Sequence, residues 1–172
     1  MDTIYDDMII FESVSDNYIQ SVLMEGTNID IKNAIYKCKK DFRKHAALLR
    51  KAIKSQNKLD AKKELFICKK IIKDTRNAIN DTGDDSISSA LLGIVFLVIV
   101  SYIQDSILLL TIFGYPIAMI RDLKDGVAII IRIIKDIQNN DLSYNTLNIY
   151  RDKALGYLDM MDVYLSDIEK RM

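Results

Sequence analysis

His45, Cys38 and Cys68 are the side chains of this 172-residue chain whose chemistry could serve a metal or a nucleophile. A lone histidine rules out a multi-histidine metal site and any triad that needs a second one. His45 also lies at the edge of an apolar stripe, where a histidine ordinarily packs. Both cysteines fall on apolar faces. In a hairpin folded at Gln56, Cys38 faces Asp74 and Cys68 faces Lys44. The thiols are then offset by about 9 Å along the helix axis, too far for a disulfide. They read as small buried hydrophobes, in keeping with a reducing compartment and with an acidic N-terminus unlike a secretory leader. No GxxxxGK[ST] or GxGxxG phosphate loop occurs, and the acids of the first helix lack calcium-loop spacing. Asp84 and Asp85 read as a cap and a solvated turn. The expectation is a protein that is not an enzyme and needs no cofactor or metal.

Architecture must therefore carry the functional argument, and residues 86–104 dominate it. They contain no formal charge, in a chain that is 28% Asp, Glu, Lys and Arg. A helix needs about 20 apolar residues to cross a bilayer, so this stretch either spans one or forms a buried central helix. A second apolar run, 106–120, follows the single Asp105. The pair reads as a greasy helical hairpin with a carboxylate at its tip. The second run is short for a span and carries Gly114 and Pro116, and the amphipathic segments after it need an apolar partner. The buried reading is therefore favoured over the membrane one.

The rest of the chain reads as helix. One proline and six glycines leave few turns. Ile31, Ile35, Cys38, Phe42, Ala46, Leu49 and Ile53 step by threes and fours, as do Ala61, Leu65, Cys68, Ile72 and Ile79 after the break at 55–57. These predict one antiparallel hairpin. Pro116 suits a helix start, and Leu123, Val127, Ile130, Ile134 and Ile137 make a seam behind it. Asp141 or Ser143 can cap a last helix on which Tyr150, Tyr157 and Tyr164 recur at steps of seven. The fold class expected is all-α: a helical hairpin plus an apolar central helix packed by two long C-terminal helices. The division expected is an acidic leader at 1–26, a basic hairpin at 27–83 and an apolar helical core region at 84–172.

Zero net charge hides strong segregation. Residues 1–31 hold seven acids and no base, whereas 32–76 hold sixteen Lys or Arg against four acids, a net of +12. A solvated helix face is the plainest account of such lysines. The functional account is a polyanion, either DNA held without sequence preference or anionic lipid, with Lys39, Lys40, Arg43, Lys44, Lys62, Lys63, Lys69 and Lys70 as contacts. No aromatic residues interleave with the lysines to stack bases. Should the apolar run insert, the basic hairpin would stay on the cytoplasmic side.

Two tripeptides in the leader, Ile10-Phe11-Glu12 and Leu23-Met24-Glu25, have an aliphatic residue two places before a glutamate. They resemble the signal cut by the prohead proteases of large contractile-tailed phages. The layout as a whole resembles internal and structural head proteins of such phages from low-GC Gram-positive hosts: an acidic leader, a Lys-rich helical pair, an apolar middle and a final helix with Tyr and Lys. The resemblance implies cleavage after Glu12 and Glu25, and a place in the virion interior or host cytoplasm. It also implies other virion proteins and DNA as partners. An inner-membrane protein that inserts 86–120 is the alternative. Removing 1–25 would take away six acids and no base, moving net charge from 0 to +6.

Overall fold

A computed structural model describes residues 29–82 and 87–172. Five helices account for 89% of these residues, and no strand occurs among them, so the chain is all-α. They are α1 (Ile29–Lys54), α2 (Lys58–Asp81), α3 (Ser89–Ile112), α4 (Ile117–Asn139) and α5 (Tyr144–Arg171). The leader, with Glu12 and Glu25, and the pair Asp84-Asp85 lie outside the described residues.

α1 and α2 form the expected antiparallel hairpin, and the turn between them is built from the backbone. Gln56 takes a left-handed φ of 57°. The Asn57 N–H donates to the Ala52 carbonyl (2.9 Å) and the Gln56 N–H to Ile53 (3.1 Å). This paired pattern closes the last turn of α1 and satisfies carbonyls that the helix end leaves open. Asn57 then starts α2, its side chain accepting from the Asp60 N–H. Ser88 and Ser143 cap α3 and α5 in the same way, through the N–H groups of Leu91 and Thr146.

α3 is the axis of the molecule. It packs against α1, α4 and α5, while α2 packs against α1 and α5. Eighteen of its residues are buried, including Ile94, Leu97, Val98 and Ile103. A helix with neighbours on several sides has no wet face to spend on polar residues, which accounts for its near-uniform apolarity. The two C-terminal helices do pack it: Leu123, Val127, Ile130, Ile134 and Ile137 from α4, and Ala154, Leu158, Met161, Leu165 and Ile168 from α5, are all buried.

One expectation is overturned here. Residues 86–120 do not form a hairpin with Asp105 at its tip. α3 runs unbroken through Asp105 to Ile112, and Asp105 is 4% exposed. The chain reverses later, where Gly114 takes a φ of 72° and the Tyr115 and Gly114 N–H groups bond to the carbonyls of Leu110 and Thr111. Pro116 then opens α4. A carboxylate is tolerated inside α3 because Arg43 of α1 reaches it, with Nε 3.4 Å from each Asp105 oxygen. The same guanidinium donates to Ser101 Oγ at 3.0 Å.

A second polar link joins the hairpin to α3. Tyr102 and Thr75 are fully buried, and their hydroxyl oxygens lie 2.7 Å apart. Thr75 Oγ1 also donates to the Ile71 carbonyl. The Tyr102 ring meets Phe42 of α1 with centroids 4.6 Å apart.

Candidate polyanion-binding surface

The apolar stripe of α1 turns one face of that helix inward and so fixes what the opposite face presents. Lys37, Lys40, Lys44, Lys51 and Lys54 recur at steps of three, four, seven and three, and all five are exposed. Over those 17 steps the helix rises about 26 Å. None of the five takes part in an ion pair among the described residues. Lys40 rests its ammonium 4.6 Å from the Tyr36 ring centroid. Asp41 lies beside the ridge, four residues after Lys37 and three before Lys44, while three other acids of the hairpin are engaged away from it. Glu64 Oε2 lies 2.5 Å from His45 Nδ1, Asp60 receives the Asn57 amide at the α2 cap, and Asp74 receives Lys70. A groove of about 250 Å³ between α1 and α2 brings Lys51, Leu48 and Ser55 beside Asp60, Lys63 and Glu64. The exposed faces of the two helices are thus one continuous surface.

The structure brings together only part of the residue set expected from sequence. Lys40, Lys44, Lys62 and Lys63 are exposed on the hairpin. Lys39 is buried, at 6%, on the flank of α1 that carries Arg43, and Arg43 is engaged with Asp105. Lys69 pairs with Glu169 of α5 at 3.6 Å and Lys70 with Asp74 at 3.3 Å. Lys37, Lys51 and Lys54 complete the α1 ridge and were missed. The signal was available, since 37, 44 and 51 are spaced by sevens on the face opposite Phe42 and Leu49.

The nucleophile candidates are accounted for by packing. Cys38 and Cys68 are free thiols. Burial pushes the Cys68 thiol up to about 12, with the Glu64 and Asp105 charges adding to it, and burial raises Cys38 as well. Neither is poised as a thiolate. Among the described residues His45 contacts Glu64. Among the described residues no group of His, Cys, Asp and Glu is arranged to hold a metal. The tyrosine heptad of α5 is a seam. Tyr150 donates to Asp136 of α4 (2.6 Å) and meets Phe96 edge-on, while Tyr157 lies beside Gly126.

No protein-family model matches this chain, and no curated protein or solved structure does. The fold and the surface define the chain only as an all-α bundle with a lysine ridge.

Proposed function

We propose that this chain is a non-enzymatic structural protein whose α1–α2 hairpin binds nucleic acid through charge. The observation that carries the reading is the α1 ridge: five exposed lysines along one face with Asp41 beside them, while Glu64, Asp60 and Asp74 are engaged elsewhere on the hairpin. Such a surface neutralises phosphates without reading sequence, and each neutralised phosphate releases condensed counterion. With about four or five contacts, log affinity for duplex DNA falls with log salt at a slope of about −4. The test is a salt-titrated binding assay comparing the wild type with a variant carrying Lys37→Glu, Lys40→Glu, Lys44→Glu and Lys51→Glu. These lysines are exposed, so the variant keeps its helicity and loses binding. Failure of the wild type to bind at ~50 mM salt, where electrostatic binding is strong, removes the reading.

The narrower role, a head-internal or head-associated virion protein, rests on the resemblance of the leader and layout. Its test is the presence of this chain in purified particles. A membrane role competes with both. α3 is long and apolar enough to cross a bilayer, with a mean hydropathy of 2.1, but 89% of that stretch is buried by the other helices. Burial favours its use as a core, and solubility without detergent separates the two.

A further inference from the structure

α2 adds to the basic surface a feature that charge alone does not require. Its apolar stripe faces inward through Ala61, Leu65, Cys68, Ile72 and Ile79, yet Leu59 is 80% and Phe66 67% exposed on the outer side. Lys62 and Lys63 stand one turn before Phe66, and Lys70 and Lys73 one and two turns after it. An aromatic ring therefore sits among lysines, contrary to the expectation that none interleaves. Leu59 and Phe66 are seven residues apart, about 10 Å along the helix.

We infer that the polyanion this surface takes is single-stranded nucleic acid, with Phe66 as a base-stacking residue; this rests on the nucleic-acid reading above. A duplex presents phosphates and groove edges to a helix face and keeps its base faces stacked, so it cannot bury Phe66. An unpaired base offers a π-face to the ring while the flanking lysines hold its phosphates. An anionic membrane suits the face less well. Interfacial helices bury a broad apolar side, whereas the outer side of α2 offers two apolar side chains among Lys, Asp74 and Asn77, its main stripe being committed to the core. The groove of about 830 Å³ between α2 and α5 constrains the path of the strand. Lys69, Lys70, Lys73 and Arg76 line it beside Phe66 together with Asp74, Asp159 and Asp162, so the phosphates that flank the stacked base run along the outer face of α2, over Lys62, Lys63 and Lys73.

The test uses the full chain and fluorescently labelled oligonucleotides of one sequence, single-stranded and duplexed, at low salt. The single strand is expected to bind about tenfold tighter than the duplex. Phe66→Ala should weaken single-strand binding by about 5- to 150-fold, the range of one stacked base, and leave duplex binding unchanged. Phe66→Tyr, which keeps a stacking face, should retain the preference. Circular dichroism confirms that each variant is folded. Equal binding of both forms, or a Phe66→Ala effect that is absent or common to both, overturns this inference and leaves the nucleic-acid reading standing. Binding of neither oligonucleotide overturns both. So does binding confined to phosphatidylglycerol vesicles.

Discussion

Arg43 of α1 holds Asp105 in the C-terminal half of α3, its Nε 3.4 Å from both carboxylate oxygens. The two partners are unequally placed: the Asp105 side chain is 6% exposed and that of Arg43 is 43%. Truncating the arginine takes a cation away from a carboxylate in the core, whereas neutralising the aspartate leaves a cation that reaches water. Arg43→Ala is therefore expected to destabilise the fold by about 1–3 kcal/mol, and Asp105→Asn by less. Denaturant midpoints of the two single variants and the double variant measure the coupling. Additive effects would mean that the pair does not register α1 on α3.

The same pair shows where sequence reasoning stopped. All-α character, the hairpin turn at 55–57 and the core stripes were legible because each is a local pattern of apolar spacing and caps. In the sequence Asp105 reads as a tip because an isolated acid between apolar runs looks like a turn, whereas Arg43, which reaches it, lies 62 residues away. The stop signal, Gly114 before Pro116, stands nine residues later. Phe66 and Leu59 escaped notice for a different reason. A stripe identifies what is buried, but it does not say that an apolar residue off the stripe stays exposed.

The buried hydroxyls of Thr75 and Tyr102, 2.7 Å apart, also respond asymmetrically. Thr75→Val leaves the Tyr102 hydroxyl without this partner inside the core, at an expected loss of about 1–3 kcal/mol. Tyr102→Phe leaves Thr75 still donating to the Ile71 carbonyl, so the loss should be smaller, about 0.5–1.5 kcal/mol. Thermal or urea unfolding decides the order, and a greater loss in Tyr102→Phe would contradict it.

The two left-handed positions among the described residues predict backbone effects of opposite sign. Gln56 adopts a φ that disfavours side chains, so Gln56→Gly should stabilise by up to about 1 kcal/mol. Gly114 has a φ of 72° with open space around it, so Gly114→Ala meets no clash and isolates the conformational term. It should destabilise by about 1 kcal/mol. Equal stability of both variants with the wild type would mean that these turns relax on substitution.

Stability should fall on the alkaline side. Burial raises Tyr102 well above its ordinary range and Tyr115 to about 12, the Asp167 acceptor adding to the latter. Burial also raises Tyr157, while the hydrogen bond to Asp136 raises Tyr150. Cys68 reaches about 12 by burial. For each of these groups the folded state holds its proton more tightly than the unfolded chain does. Their contribution is complete below the unfolded values, about 8.5 for Cys and 10 for Tyr, and is lost as pH rises toward 12. Melting curves should therefore hold steady through neutral pH and drop steeply above about pH 10. Tyrosinate absorbance should rise with the unfolding transition. Full tyrosine titration with the fold intact would be the contrary result.

The leader supplies the last prediction, which follows from charge. Residues 1–25 carry six acids and no base, so deleting them moves the net charge from 0 to +6. Binding to a polyanion responds to the summed field of the chain as well as to direct contacts. The shortened chain, beginning at Gly26, keeps every lysine of the α1 ridge. It should bind nucleic acid more tightly than the full chain at low salt, and the difference should shrink as salt is added. Charge reversal at Lys39 or Arg43 is a poor control, because one is buried and the other engages Asp105. Reversal at Lys37, Lys40, Lys44 and Lys51 is the appropriate one and should abolish the gain. If the leader is removed during assembly, particles should contain chains beginning at Ser13 or Gly26, and Glu25→Gln should leave a longer form in them. Mass spectrometry that finds only chains beginning at Met1, together with equal DNA affinity of the full and shortened proteins, would strip the leader of any masking role.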